Sequence, residues 1–112
     1  MRAALARFCS RFSGEAEKRG MRLLEEHLTP AQRQQFKWRR CFDVTGGQTG
    51  THYRIRTGLP MNVEVLHEGR CVKRLCFEPE GDLVQGDTLL AQKLALELYE
   101  NDALARANYR LV

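Results

Sequence analysis

The sequence lacks several features that would place it in a familiar class of protein. No stretch approaches the roughly 20 apolar residues that a membrane-spanning helix needs. Residues 1–13 lack the continuous apolar segment of about 7–15 residues that a secretory signal requires. These absences predict a cytoplasmic protein in which the four cysteines, Cys9, Cys41, Cys71 and Cys76, are reduced thiols.

Motifs for metal binding are also missing. Structural zinc sites usually present a knuckle of two cysteines separated by about two to four residues, whereas the tightest group here is His67-x3-Cys71-x4-Cys76. Cys71 and Cys76 are an odd number of positions apart in a predicted strand, so we expect them to face opposite sides of the sheet. The pattern favours buried free cysteines and predicts neither a metal ion nor another cofactor.

Signatures of catalysis are equally scarce. Cys41 and His52, on adjacent predicted strands, are the one thiol–imidazole pair that could form a nucleophile, and no orienting third group accompanies them. Gly46, Gly47 and Gly50 match neither a Walker loop nor a dinucleotide fingerprint, because no helix follows them. These glycines predict a hairpin loop. A small thiol- or metal-dependent enzyme is therefore the third of three functional hypotheses.

The residues that are present form one domain with an uneven charge. The 112 residues, 43% of them hydrophobic, predict a single domain, 1–112, with one buried core. Residues 1–40 carry ten Lys or Arg and four Asp or Glu, whereas residues 78–112 carry three and seven. Two interpretations stay open: the two ends attract each other within the fold or across a dimer, or the basic half meets an acidic partner.

A first helix is predicted from Gly14 onward. Ser13 can serve as its N-cap, and Met21, Leu24 and Leu28 recur at helical spacing to give one apolar stripe. Residues before the cap would then form a loosely docked or flexible N-terminal segment, 1–13.

A second helix is predicted immediately afterwards. Thr29 occupies the N-cap position, Pro30 the first helical position, and Gln32 the third, where its side chain can complete a capping box. This helix should run from Pro30 to about Trp38, with Phe36 facing inward.

The sequence period changes after Arg40 from helical to alternating. Tyr53 and Ile55 share a face of one alternating segment, and Val63 and Val65 share a face of the next, which predicts a sheet with one buried side. Loops containing glycine separate the segments and indicate an antiparallel meander. The four predicted strands are Cys41–Thr45, Thr51–Thr57, Met61–His67 and Arg70–Phe77.

A long helix follows a polar loop over Glu78–Gly86. Asp87 can cap it, and apolar residues nearly encircle its length, Thr88–Glu100, so we expect it to pack deeply across the sheet. A shorter helical piece is predicted at Ala103–Asn108. The residues expected to face the sheet are Leu90, Leu94 and Leu98.

The order of elements indicates the fold class. A run of strands separated from the helices is typical of α+β proteins, in which helices cover one face of an antiparallel sheet. We therefore predict an α+β fold with two N-terminal helices, a four-stranded antiparallel meander and a C-terminal helix packed on the sheet.

Four short motifs resemble those of a known group of proteins. They are Phe42-x-Val44-x-Gly46, Tyr53-Arg54-Ile55-x-x-Gly58, Asn62-Val63 and Gly86-Asp87-x-x-Leu90-Ala91-Gln92-Lys93-Leu94. In combination, over about residues 41–108, they resemble a family of small bacterial and phage proteins with no known activity. The resemblance implies a bacterial or phage source and no particular chemistry.

A basic face beside an aromatic residue is the main candidate binding site. Cations flank Trp38 at the junction of helix and sheet, and two more lie on the outward face of the second strand, where they could follow phosphates while the indole stacks on a base. The competing interpretation is that Arg54 and Arg56 pair with Glu64 across the sheet and Trp38 belongs to the core. The candidate residues are Lys37, Trp38, Arg39, Arg40, Arg54 and Arg56.

These observations favour a small non-catalytic binding domain. The leading hypothesis is a protein-interaction regulator or inhibitor, because no motif for chemistry accompanies the polarised charge. The alternative is a nucleic-acid-binding module that uses the basic and aromatic face. A homodimer is compatible with either hypothesis.

Overall fold

The computed structural model describes residues 2–58, 60–77 and 83–112, with residues 2–13 described as backbone alone. Within these ranges the chain forms four helices and one five-stranded antiparallel sheet, which confirms the predicted α+β class. The elements are α1 Arg2–His27, α2 Pro30–Arg39, β1 Cys41–Thr45, β2 His52–Arg56, β3 Val63–His67, β4 Arg70–Cys76, α3 Gln85–Leu98, α4 Glu100–Arg106 and β5 Asn108–Leu111.

The sheet is a meander in the order β1-β2-β3-β4-β5, in which each strand pairs with the next one along the chain. The four predicted strands are present, with ends up to two residues shorter. The fifth strand is an addition, because α4 ends at Arg106 and the chain is extended from Ala107, where the sequence predicts a helix up to Asn108. Four residues are too few to show an alternating period, so β5 depends on its pairing with β4.

The predicted capping box at the start of α2 is confirmed. The Thr29 hydroxyl accepts a hydrogen bond from the Gln32 amide at 3.2 Å, and the Gln32 side-chain oxygen accepts one from the Thr29 amide at 3.0 Å. Phe36 is buried as predicted, and the helix ends at Arg39.

The first helix begins earlier than the sequence predicts. α1 starts at Arg2, so the expected cap at Ser13 and the expected start at Gly14 are wrong. A glycine inside a helix costs only about 1 kcal/mol relative to alanine, which good helix formers on both sides offset. The side chains of residues 2–13, Cys9 among them, lie outside the described part of the chain.

Two glycines allow α1 and α3 to cross at backbone contact. A Cβ atom added to Gly86 would lie 2.3 Å from the carbonyl carbon of Gly20, and one added to Gly20 would lie 2.6 Å from a methyl group of Val84. Any larger residue at the crossing would push the helices apart. Gly86, which belongs to the last of the four motifs, therefore has a packing role.

The start of α3 differs from the prediction. The helix begins at Gln85 with Val84 at the N-cap position, so the expected cap at Asp87 is wrong. Asp87 lies instead in the first turn, where a carboxylate interacts favourably with the positive end of the helix dipole. The loop predicted over Glu78–Gly86 lies partly outside the described residues.

The inner face of α3 was also predicted incorrectly in part. Leu90 is buried as expected, but Leu94 and Leu98 are 38% and 60% exposed. Leu89 and Leu96 are the leucines that pack into the core. Because apolar residues surround this helix, hydrophobic periodicity alone does not determine which side faces inward.

The core lies between the inner face of the sheet and the helices. α3 packs against β1 and β2, and α1 packs on α3. Phe36 of α2 meets Phe42 of β1 edge-on, with ring centroids 5.9 Å apart and planes at 76°. The predicted inward residues Tyr53, Ile55 and Val63 are buried, whereas Val65 is half-buried.

The β1 edge of the sheet is closed by α2. The Gln32 side-chain amide donates to the Asp43 carbonyl at 2.8 Å, and the Asp43 amide donates to the Gln35 side-chain oxygen at 2.9 Å. Two glutamines on one helix face thus satisfy backbone groups that an edge strand would otherwise leave unpaired.

The β5 edge is open along the described residues. β5 pairs with β4 on one side, and no described strand or helix pairs with its other side. Residues 108–111 are all exposed. One edge of the sheet is therefore covered by a helix, whereas the described residues leave the other edge open.

Candidate binding face

Four candidate residues lie together where α2 passes into β1: Lys37, Trp38, Arg39 and Arg40, named the Trp38 cluster below. Arg40 is the C-cap of α2 in the left-handed region (φ 55°, ψ 33°), and its amide donates to the Phe36 carbonyl at 3.0 Å. The Thr57 amide donates to the Arg40 carbonyl at 3.3 Å. These bonds fix the cluster to the end of β2.

Trp38 is 74% exposed, so the interpretation that it belongs to the core is wrong. Phe36 takes the inward position, and a residue two positions further along a helix points roughly 200° around the axis. The Lys37 ammonium lies 5.7 Å from the centroid of the indole ring, and the Arg40 guanidinium lies 4.3 Å from that of Phe36. All three cations of the cluster are exposed.

Arg54 is occupied by a neighbour on the sheet. It lies opposite Asp43 in the pairing of β1 with β2, and its Nε donates to one carboxylate oxygen at 2.8 Å while an Nη lies 3.4 Å from the other. The hydrogen bond to Asp43 raises the pKa of Arg54 above its ordinary value, so the charge stays fixed.

Arg56 is also paired, as the competing interpretation predicted. Its Nε lies 2.9 Å from Glu64, whose second oxygen lies 3.7 Å from Arg74. Glu64 is only 4% exposed, so two arginines of neighbouring strands enclose its carboxylate. For Arg54 that interpretation named the wrong partner, since Arg54 bonds to Asp43 rather than Glu64.

The outer sheet face carries a row of charges whose sign alternates from β1 to β4. One line of paired positions crosses all five strands. Opposite charges facing each other across strands stabilise a sheet, whereas the last two positions are both cationic. The charges balance over β1–β4, where the row is Asp43, Arg54, Glu64 and Arg74, and Arg110 on β5 adds one further positive charge.

The structure therefore divides the six candidate residues into two groups. Arg54 and Arg56 are engaged by carboxylates, whereas the Trp38 cluster forms no ion pair with the described residues. Arg56 still lies next to the cluster, because Cys41 and Arg56 are paired positions of β1 and β2. A shallow hollow of about 490 Å³ runs along α2 beside Trp38, lined by Ala31, Gln34, Gln35, Trp38 and Arg39.

The basic segment, residues 1–40, takes part in no ion pair among the described side chains, which begin at residue 14. The ion pairs among the described residues lie within 41–77 or inside α3, where Lys93 bonds to Glu97 at 2.6 Å. None of these pairs involves residues 1–40. The interpretation that the two ends of the chain attract each other thus finds no ion pair in the described part.

A buried carboxylate at the start of α4 was not foreseen. Glu100 is fully buried and accepts hydrogen bonds from the Gln48 amide at 2.9 Å, the Thr49 amide at 2.7 Å, the Thr49 hydroxyl at 2.5 Å and the Tyr53 hydroxyl at 2.5 Å. A Cβ atom on Gly46 would overlap this carboxylate. We call this group the Glu100 clasp.

The clasp shifts the titration of both of its acidic groups. Burial acts to raise the pKa of Glu100, but hydrogen bonds from Thr49 and Tyr53 outweigh it and hold that pKa below its ordinary value. Burial, together with the hydrogen bond to Glu100, raises the pKa of Tyr53 well above its ordinary value. At neutral pH the pair is a carboxylate bound to a neutral phenol, an arrangement that holds the β1–β2 loop to α4.

A second unforeseen group joins α3 to the loop before β3. Asn62 and Gln92 exchange two side-chain hydrogen bonds at 2.8 and 3.0 Å. Asn62 also donates to the Arg56 carbonyl at 3.0 Å, and Gln92 to the Phe77 carbonyl at 2.9 Å. Every polar atom of this buried pair is thereby matched, which explains why a glutamine occupies the inner face of α3.

A cavity of about 550 Å³ opens between α3, α4 and the end of β4. Its lining is mainly apolar. The alanines one helical turn apart on α3 are the signal in the sequence from which a groove could have been predicted. Asp102 and Arg106 stand at one side on α4. The remaining lining residues are Cys76, Phe77, Ala91, Gln92, Ala95, Tyr99, Ala103 and Asn108.

Cys41, Cys71 and Cys76 are free thiols. The pairing register shifts at a bulge between Val65 and Leu66, so the strict alternation behind the expected opposite faces of Cys71 and Cys76 does not hold along β4. The two thiols are nonetheless five residues apart on a strand, roughly 17 Å. Separation, rather than parity, keeps them from sharing one metal ion.

The described residues contain neither the thiol–imidazole pair sketched from the sequence nor a cluster of metal-binding side chains. Cys41 and His52 lie at opposite ends of the β1–β2 pairing, roughly 13 Å apart at strand spacing, so they do not form the sketched nucleophile pair. Among the described residues, no three His, Cys, Asp or Glu side chains come close enough to hold a metal ion. No described helix is both long and apolar enough to cross a membrane.

Several residues of the four short motifs have structural roles. These roles explain their presence without requiring that they take part in an activity. Gly46 makes room for the Glu100 clasp, Asn62 and Gln92 bond to each other, and Gly86 lies at the helix crossing. Comparison of the chain with protein-family models, with curated proteins and with solved structures gives no match.

Proposed function

We propose that this protein is a small binding domain that docks an acidic surface of a protein partner through the Trp38 cluster. The observation that carries this function is the 74% exposed indole of Trp38, set among three exposed cations on a rigid helix. Tryptophan and arginine are the residues most enriched among the energetic centres of protein interfaces.

The framework around the cluster suits a preformed binding site. The capping box fixes the start of α2, two glutamines tie its side to β1, and Arg40 fixes its end. A side chain held by a rigid element loses less entropy on binding than one on a mobile loop. Trp38 is therefore displayed at little further entropic cost.

Charge favours an acidic partner. The cluster carries three cations without ion pairs to the described residues, within the segment 1–40 that holds ten Lys or Arg and four Asp or Glu. Complementary potentials steer association and select partners.

A protein partner fits better than a nucleic acid. A phosphate track would need the cations of the outer sheet face, but Asp43 and Glu64 already bind Arg54 and Arg56. The Asp43 side chain is 40% exposed, so it would also repel a nearby phosphate. What is left is a compact patch around one aromatic residue, which resembles a protein interface centre more than a groove for a nucleic-acid backbone.

The role we propose is regulation or inhibition of the partner in the cytoplasm. It rests on a binding face without an accompanying site for chemistry among the described residues. The motif resemblance adds a bacterial or phage source to this proposal, and the reduced thiols suit a cytoplasmic location.

The test uses the single tryptophan as a local reporter. A glutamate-rich peptide, a single-stranded oligonucleotide and a duplex are titrated against the protein at two salt concentrations while Trp38 emission is followed. We expect the peptide to change the emission and the oligonucleotides to bind only weakly. In anisotropy measurements with labelled peptide, Trp38→Ala should weaken binding at least about tenfold.

The matched control is Tyr99→Ala, which removes another exposed aromatic residue far along the chain from α2. It should leave peptide affinity unchanged. Oligonucleotide binding tighter than that of the peptide, with log K falling by about 0.9 per contacted phosphate per log unit of salt, would assign the face to nucleic acid instead. No response to any of the three probes would refute an electrostatic binding face.

A further inference from the structure

The outward side of β5 has hydrogen-bonding groups whose positions follow from its pairing with β4. The Val112 amide donates to the Val72 carbonyl, so residue 112 directs its backbone groups toward β4. In an antiparallel pair that direction alternates from residue to residue. Tyr109 and Leu111 therefore direct their amide and carbonyl groups away from β4, where no described strand or helix meets them.

Apolar side chains accompany these unpaired groups. Tyr109, Leu111 and Val112 are 66%, 72% and 74% exposed. Natural edge strands are commonly protected by lysine, proline, a bulge or a covering element. β5 has no lysine, proline, bulge or covering element among the described residues, and its protection is limited to its short length and the charge of Arg110, whereas β1 is covered by α2.

We propose that β5 is a homodimerisation edge, on which β5 of a second copy pairs antiparallel about a two-fold axis at Tyr109. A residue on such an axis must direct its backbone groups outward to form a hydrogen-bonded pair with its symmetry mate, and Tyr109 does. The two tyrosines would lie on the inner face of one continuous ten-stranded sheet.

The charges of β5 exclude the neighbouring register, in which the axis lies at Arg110. An axis at Arg110 would place two guanidinium groups directly opposite each other, which is destabilising. An axis at Tyr109 places Arg110 opposite Asn108 of the second copy, whose amide oxygen can accept a hydrogen bond. Within one chain Arg110 lies opposite another cation, Arg74, whereas pairing would place an acceptor opposite it.

The first test removes an outward amide and nothing else from the backbone pairing. Proline is tolerated on an edge strand where its position would direct an amide to solvent, and Leu111 is such a position. Sedimentation velocity over a range of concentrations should show a reversible dimer for the unaltered chain. Leu111→Pro should raise the dissociation constant at least tenfold.

A matched variant separates the backbone from the side chain. Leu111→Ala removes the same side chain but keeps the amide, so it should weaken the dimer less than Leu111→Pro does. Circular dichroism checks that both variants fold. A chain that stays monomeric at all concentrations, or a Leu111→Pro variant that dimerises like the unaltered chain, would overturn the proposal.

A cross-linking test addresses the register directly. In the hydrogen-bonded pair at the axis the two Cα atoms are about 5.5 Å apart, within the roughly 4.4–6.8 Å that a disulfide spans. Tyr109→Cys should therefore give a covalent dimer on mild oxidation. Arg110→Cys should not, because the introduced thiols would be offset along the strands, and the unaltered chain gives the baseline for the native cysteines. Equal cross-linking of both variants would rule out the axis at Tyr109.

Discussion

The two edges of the sheet show two ways in which a strand can end a β-structure. At β1 the side-chain amides of Gln32 and Gln35 bond to the backbone of Asp43, so a helix completes the edge without adding a strand. At β5 the backbone groups of Tyr109 and Leu111 face away from β4, beside exposed apolar side chains. The contrast teaches that edge protection here is local, and that the edge which no described element covers is the one suited to another strand.

The packing of side chains also differs between the β1 side and the β5 side of the sheet. α3 lies over β1 and β2, so Phe42 on β1 is fully buried, whereas Tyr109 on β5, on the same inner face of the sheet, is 66% exposed. We therefore expect the stability of the fold to depend mainly on the β1 side. The predictions below test that division, beginning with the largest effect.

Removing an aromatic ring from each side should have very different consequences. Phe42→Ala would leave a cavity beside Phe36 and should cost about 3–5 kcal/mol of unfolding free energy. Tyr109→Ala, at an exposed position of the monomer, should change it by no more than about 0.5 kcal/mol. Urea unfolding at low protein concentration measures both values without a contribution from dimer formation. Comparable losses would show that the two sides share the stability.

The Glu100 clasp belongs to the β1 side and should make its stability depend on pH. Since hydrogen bonds hold the folded pKa of Glu100 below its unfolded value of about 4.3, its stabilisation is present above that pH and is lost as the pH falls through the folded pKa. Glu100→Gln should cost about 2–3 kcal/mol at pH 7, because the amide cannot accept all four hydrogen bonds.

The difference between Glu100→Gln and the unaltered chain should narrow as the pH is lowered from 7 to 3 in a series of urea titrations. Glu26→Gln, at an exposed position of α1, is the control and should leave the profile unchanged. A difference that stayed constant with pH would show that the carboxylate charge contributes nothing to the clasp.

The smallest effect is expected at the closed edge itself. Gln32→Ala removes half of the capping box and the bond to the Asp43 carbonyl, and should cost about 1–2 kcal/mol. Gln34→Ala makes the same chemical change at an exposed position of the same helix and should cost less than about 0.5 kcal/mol. Equal costs would mean that the glutamine contacts to β1 do not stabilise the edge.

The parts of the fold that depend on local sequence could be predicted. The capping box of Thr29 and Gln32 involves neighbours three residues apart, and the alternation around Tyr53 and Ile55 lies within one strand. Such patterns are visible in a short window, because helix caps and strand faces repeat over a few residues.

The parts that depend on distant partners could not be predicted. The bonds between Asn62 and Gln92 cross 30 residues, and Glu100 meets Thr49 across 51. No window of sequence shows that a buried glutamine or glutamate will find donors so far away. The face of α3 was misjudged for the same reason, since Gln92 is buried by its partners while Leu98 is left outside.

The candidate site was predictable in composition but not in pairing. Exposed cations around Trp38 follow from the sequence alone, since α2 is short and Phe36 occupies its inner face. The division of the arginines required the strand register, which places Asp43 opposite Arg54. The register of this sheet depends on the length of every turn and on the bulge in the pairing of β3 with β4. Sequence periodicity predicts neither of these.

The Glu100 clasp also has a consequence for the order in which the chain folds. Hairpins and helices need only near neighbours, whereas Gln48 reaches Glu100 across 52 residues, and the entropy of closing a loop grows with its length. The carboxylate can leave water at low cost only when the β1–β2 loop and the start of α4 are already in place to supply its donors. We therefore expect the clasp to form late in folding, so that a chain whose two halves have not yet met keeps a charged, hydrated glutamate where the folded protein has a buried one.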